Sequence, residues 1–232
     1  VRDMREHLKR IPLFHNLSEG ECAEIERITY YKTFNKKSVV FMQDEERTSV
    51  FFIVKGVIRI YKIDDEGNEQ VIAFLTDGEM FPHTGFFDQS PYPATAEVMD
   101  ETTLLSIPIT AFESVLEKFP QIAIKVMRVM GKKIRDLQQQ MKHLISNDTT
   151  AMICAAILRL AKDHGKEVEN TIVVELPITH QHLANMIGVA RESVTRTMNQ
   201  LKQDNVLTTD RKKIVILNVE GLKAKLNASM IG

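Results

Sequence analysis

The residues best equipped for chemistry lie in one short run, Arg191-Glu192-Ser193-Val194-Thr195-Arg196. On a helix, Val194, Met198 and Leu201 share one face, which leaves Arg191, Glu192, Thr195 and Arg196 on the other. Arg191 with Thr195, and Glu192 with Arg196, are i,i+4 neighbours, so the outer face carries two layers of hydrogen-bonding groups. An arginine fork matches guanine O6 and N7, and a glutamate accepts from cytosine N4. Each such contact is worth about 1–3 kcal/mol of base discrimination. A salt-bridged surface helix would show the same Glu192–Arg196 spacing, so the elements around the run must decide between the two readings.

Those elements form a tight pair of helices. Thr179 can cap the first, with Leu183, Ala184 and Ile187 as its buried face. Gly188 suits the left-handed stop, Val189 fills the corner, and the second helix begins near Ala190. Ala184, Gly188 and Val194 supply the small residue, the corner glycine and the inward apolar residue that a helix-turn-helix needs. The second helix of that motif enters the major groove. Thr179 and Ser193 join the candidate DNA-binding groups. Downstream, Val206–Thr208 and Ile214–Leu217 flank Asp210-Arg211-Lys212, reading as a β-hairpin wing. Lys212 and Lys213 at its tip could touch phosphate, although a solvated turn carries such charges equally well. Charge distribution agrees in sign: residues 151–232 hold 11 Lys+Arg against 8 Asp+Glu, and residues 1–150 hold 19 against 23.

Upstream the texture is different. Ser18 and Glu21 form a capping-box pattern for a helix to about Ile28, with Cys22, Ile25 and Ile28 on one face. From about Thr33 to Pro108 short β-rich segments alternate with turns, among them Ser49–Val54, Val57–Tyr61 and Gln70–Leu75. Gly56, Gly67 and Gly78 recur between them, the pattern of a β-roll or jelly roll. A long helical pattern follows from about Pro120 to Ser146. Ala123, Val126, Met130, Lys133, Leu137, Gln140 and Leu144 alternate at spacings of three and four, as in a coiled-coil seam. Dimerisation through this seam is expected; the alternative is a single amphipathic helix lying on its own domain. Asn147–Thr150 reads as a hinge that caps a helix over Ala151–Asp163, and a short strand is expected at Thr171–Leu176. The predicted fold is therefore α+β in three parts. Residues 1–119 form a β-roll sensor domain, 120–147 a dimerisation helix and hinge, and 148–232 a winged helix-turn-helix.

This order of parts, with R-E-S-V-T-R on the second helix, resembles the CRP/FNR family of bacterial transcription regulators, and the resemblance spans nearly the whole chain. It implies a cyclic-nucleotide-binding-like roll, a homodimer, double-stranded DNA with palindromic sites, and RNA polymerase as a partner. It also implies that Arg191, Glu192 and Arg196 read a half-site close to TGTGA. Thr195 stands where some members have glycine and FNR-like members a small hydroxyl residue, so the resemblance also admits a TTGAT-like half-site.

The effector region departs from the relatives that bind cyclic AMP. They use a Gly-Glu pair and an Arg-Ser-Ala segment. Here the glutamate position is His83, followed by Thr84, and the arginine-serine positions are Tyr92-Pro93. On the long helix, Leu137-Gln138 replace the threonine and serine that meet adenine. An anion buried without its arginine costs several kcal/mol, so cyclic AMP is not expected. Two separated cysteines, Cys22 and Cys154, cannot hold an iron–sulfur cluster and read as packed, reduced thiols. No cofactor or metal is expected, and an unidentified small ligand is left open. A cupin-like metalloenzyme would need histidines inside the roll, but His180-Gln181-His182 lies in the helix pair, where it reads as solvent-facing near DNA phosphate. A nucleotide-binding regulatory subunit would have no use for the helix pair. No run of about 18 apolar residues and no signal core are present, so a cytoplasmic protein is expected, and with no Ser/His/Asp, Cys/His, phosphate-loop or paired-carboxylate motif standing out a non-enzymatic one.

Overall fold

The computed structural model describes residues 2–83, 90–143, 148–210 and 212–228, without the side chains of residues 2–3, 136–137, 139–143 and 227–228. The chain divides into two compact units, one of Val1–Ile63 with Ile72–Arg135, the other of Asp64–Val71 with Asp136–Gly232.

The first unit opens with α1 (Arg2–Arg10), a 3₁₀ turn (Pro12–Phe14) and α2 (Glu19–Ile28). The Ser18–Glu21 capping box is formed on α2, with each side chain bonded to the other residue's backbone N–H. Eight strands follow: β1 (Tyr30–Phe34), β2 (Val39–Phe41), β3 (Ser49–Lys55), β4 (Ile58–Ile63), β5 (Glu69–Leu75), β6 (Met80–Phe81), β7 (Thr95–Val98) and β8 (Thr102–Pro108). They make two four-stranded sheets in the orders β1-β8-β3-β6 and β2-β7-β4-β5. Helices α3 (Ile109–Lys118) and α4 (Pro120–His143) follow, and α4 belongs to the first unit as far as Arg135.

The unbroken apolar run in β3 has a simple cause: the strand is covered on both faces. Val50, Phe52 and Val54 meet Leu8, Phe14 and Phe112 in a core beneath the helices. Phe51 and Ile53 point the other way, toward Phe41, Phe81 and Tyr92 between the sheets. On the β4–β7 pair, Arg59 is buried with its guanidinium bonded to Glu97 at 3.0 Å and laid over the Tyr61 ring at 4.2 Å.

The second unit contains α5 (Thr149–His164), β9 (Gly165–Val168), β10 (Thr171–Val174), α6 (His180–Ile187), α7 (Arg191–Gln203), β11 (Leu207–Asp210), β12 (Lys213–Ile216) and α8 (Val219–Ala228). Asp148 caps α5 by accepting from Thr150 N–H at 2.8 Å. The sheet order is β11-β12-β10-β9, so the wing hairpin continues directly into the β9–β10 hairpin. The residues His164-Gly165-Lys166 would suit a turn, but Gly165 starts β9. A Cβ there would overlap the Ala161 carbonyl and the Ile172 side chain, so glycine serves the close approach of α5 and β10 rather than a turn.

Candidate nucleic-acid interface

Local chemistry sets the angle between α6 and α7. Thr179 Oγ1 accepts from His182 N–H at 3.2 Å, and His182 Nδ1 accepts from Thr179 N–H at 3.3 Å. This capping box has histidine in the place usually held by glutamate. The Thr179 hydroxyl keeps its own proton to donate outward. Helix α6 stops at Gly188, whose φ of 71° and ψ of 37° are left-handed, and both Gly188 and Val189 N–H reach the Ala184 carbonyl. Val194, Met198 and Leu201 are buried behind α7.

Arg191, Glu192 and Arg196 lie exposed on the opposite face. Among the described residues, no side-chain hydrogen bond or ion pair engages any of the three, and the Glu192–Arg196 bridge that the spacing allows is not made. Ser193 and Thr195 are half-buried beside them. The Thr195 hydroxyl donates to the Arg191 carbonyl at 3.0 Å and lies 2.9 Å from His180 Nδ1. No side chain caps α7, because Ala190 occupies that position. The far end of α7 is pinned: Asp204 bonds Lys225 of α8 at 2.7 Å and Gln200 at 2.8 Å, and these bonds hold its carboxyl below the usual range. Lys212 and Lys213 are exposed at the β11–β12 turn.

His180 and His182 were read from sequence as solvent-facing. Both are instead half-buried and bonded, His182 to Thr179 in the cap of α6 and His180 to Thr195 of α7, so the H-x-H pattern has a positioning role. Among the described residues no group of three or more His, Cys, Asp or Glu could hold a metal ion. Cys22 and Cys154 are buried, and burial pushes both thiols up, Cys154 to about 11.

The effector candidates separate. Tyr92 is 2 % exposed and stacked on Phe41 at 3.7 Å, and its hydroxyl bonds the backbone of Thr48 and Ser49. It fills the space between the sheets, and this corrects its reading as a pocket-lining group. His83 is half-buried. Loss of water and the Lys133 ammonium push its imidazole down to about 4. Gln138 is exposed on α4. Thr84 and the Leu137 side chain lie outside the described residues.

Because folding holds His83 neutral, the unfolded chain takes up the extra proton first as pH falls below 6.5. That stabilisation is full above about pH 6.5 and is lost toward about pH 4. Denaturant melts of His83→Gln should therefore lack about 2 kcal/mol of the wild-type loss at about pH 4.5.

The expected dimer seam also needs correction. Val126 is 1 % exposed and belongs to the core of its own β-roll, with Ala123 and Met130 packed beside it. Lys133 pairs with Glu79 of the same unit at 3.6 Å. A stripe one residue further on is the open one: Ile124 is 45 % exposed, Met127 56 % and Ile134 56 %. The Gln140 side chain and Leu144 lie outside the described residues.

A β-roll joined through a long helix to a winged helix-turn-helix, with open arginines on the second helix, defines a DNA-binding regulator. Comparison with known proteins agrees. Residues 31–119 match the cyclic nucleotide-binding domain and residues 153–225 the Crp-like helix-turn-helix domain, together well over half of the chain. The transcriptional activator protein FnrA of Stutzerimonas stutzeri is 26 % identical over 220 residues, 95 % of this chain and 89 % of its own length. The global nitrogen regulator of Synechocystis is 26 % identical over 81 % of this chain and 84 % of its own. A CooA variant from Carboxydothermus hydrogenoformans shares the fold with a TM-score of 0.72, at 22 % identity over 90 % of both chains. The chain belongs to the CRP/FNR family of transcription regulators, a family of DNA-binding proteins and not of enzymes. Among the described residues no helix is long and apolar enough to cross a membrane.

Proposed function

We propose that this regulator binds a two-fold symmetric DNA site as a homodimer in the bacterial cytoplasm. Arg191, Glu192 and Arg196 read each half-site, which is TGTGA-like or TTGAT-like. The observation that carries this reading is the open state of those three side chains on a helix whose other face is buried. Long charged side chains left without a partner retain their rotamer freedom, and major-groove base edges supply the missing hydrogen bonds. Thr179 and Ser193 add hydroxyls at the helix starts, and the uncapped first turn of α7 suits a phosphate oxygen. The relative FnrA is named a transcriptional activator. By extension the reading includes a contact with RNA polymerase at the bound promoter. A competition assay tests it: symmetric duplexes carrying these half-sites should displace a labelled probe far better than scrambled duplexes of equal length. Equal displacement would overturn the reading.

Lys212 and Lys213 are assigned to phosphate. Lys212→Ala should weaken binding to all duplexes alike and reduce the salt slope by about 1 per half-site, about 2 over the symmetric site. An unchanged slope would remove the wing from the interface.

We further infer that control does not pass through cyclic AMP. By resemblance to the cyclic-AMP-binding relatives, Tyr92 stands where they carry the phosphate-binding arginine, and it is stacked and bonded within the roll. A phosphodiester anion placed there would lack its counter-charge. Calorimetric titration with cyclic AMP should give no binding heat, and micromolar binding would refute the inference.

A further inference from the structure

We propose that His180 is a specificity-determining residue, acting by fixing what the Thr195 hydroxyl can offer to a base. The proposal rests on the reading that α7 contacts base edges. It follows from proton bookkeeping around a single oxygen. Thr195 Oγ1 stands 3.0 Å from the Arg191 carbonyl, which can only accept, and we assign the one hydroxyl proton to that bond. His180 Nδ1 lies 2.9 Å from the same oxygen. With the hydroxyl proton already used, this second contact is a hydrogen bond only when His180 Nδ1 carries a proton and donates it.

Both sides of the contact are then defined. Thr195 has spent its proton and one of its two lone pairs inside the protein. Toward DNA it offers a methyl group and one acceptor lone pair. It can pack on the thymine methyl or accept from adenine N6 or cytosine N4, but it cannot donate to guanine O6 or N7 or to thymine O4. A hydroxyl free to rotate would serve as donor or acceptor in turn and discriminate little among these. His180 therefore narrows the choice at the base pair facing Thr195 without touching that base itself. Burial and the neighbouring charges of Lys202 and Arg191 hold the imidazole below its usual protonation range, so the neutral ring donates through Nδ1 and leaves Nε2 bare. The neighbouring His182 takes the opposite tautomer, because its Nδ1 accepts the Thr179 N–H.

The test uses the full chain and a pool of symmetric duplexes randomised one base pair at a time. His180→Phe keeps a ring but no donor, and it should lower the wild-type preference at one base pair of each half-site by about three- to tenfold, leaving the other positions unchanged. His180→Asn places an amide N–H near the lost Nδ1 and should restore the preference. In Thr195→Val, which removes the hydroxyl, adding His180→Phe should change nothing further. Nitrogen-15 NMR of the free wild-type protein gives a readout independent of DNA and of whether any variant folds. His180 should show a protonated Nδ1 and a bare Nε2. An Nε2–H tautomer would overturn the proposal, as would a uniform affinity loss across all duplexes in a folded His180→Phe protein. If the wild type shows no base preference anywhere, the DNA-reading assignment fails first. If that preference is intact and indifferent to His180→Phe, only the present inference fails.

Discussion

Arg196→Ala is expected to abolish the preference for one guanine·cytosine pair in each half-site while leaving the fold intact. The guanidinium is exposed and bonded to nothing among the described residues. Its removal strands no buried partner, and thermal stability should stay within about 0.5 kcal/mol of wild type. Bound to DNA, the same fork would hold guanine O6 and N7 together, worth about 1–3 kcal/mol per half-site and about twice that over a symmetric site. A loss of discrimination without a loss of stability is the signature of a reading residue. Core changes in the same helix behave otherwise: Met198→Ala opens a cavity behind α7 and should cost about 2–5 kcal/mol of folding energy. Retained guanine preference in Arg196→Ala, measured by competition among single-base variants, would remove this side chain from the readout.

The helix-turn-helix was legible because its signals are local. A hydroxyl at Thr179, a left-handed glycine at Gly188 and an apolar stripe through Val194, Met198 and Leu201 each impose their geometry within a few residues. The β-roll was legible from its alternating strands and turn residues. Legibility ended where a side chain's role depends on what the chain brings to it from far away. Tyr92 was assigned to a pocket from its position along the chain. Only the folded chain shows it stacked on Phe41 and bonded to a backbone 43 residues earlier. His180 looked like a solvated residue because its partner, Thr195, lies on the next helix. Helix α3 carries a weak start signal, since Pro108 offers it no side-chain cap, and the burial of Phe112, Val115 and Leu116 rather than propensity makes it helical.

The long helix shows the same limit in its sharpest form, and it leads to the second large effect. Two stripes run along α4 one residue apart, Ala123-Val126-Met130 and Ile124-Met127-Gly131-Ile134, and both have the three-four spacing of a seam. Periodicity cannot choose between them; the fold does, by burying the first against its own β-roll. The second is left open, with a glycine at its centre that permits close approach of a partner helix. In the proposed homodimer, paired along this open stripe, Ile134→Asp would bring two carboxylates to the seam, where each replaces an apolar side chain with a like charge. The expected result is a monomer in sedimentation analysis with near wild-type thermal stability, because the residue is exposed in the single chain. Binding to a symmetric site then loses the linkage between half-sites, which is worth on the order of 10²–10³-fold in affinity. Val126→Ala supplies the contrast. It should cost about 2 kcal/mol of stability, as a core cavity does, and leave self-association unchanged. If Val126→Ala dissociates the protein and Ile134→Asp does not, the seam lies on the other stripe, and the packing of α4 on its own domain must give way when two chains meet.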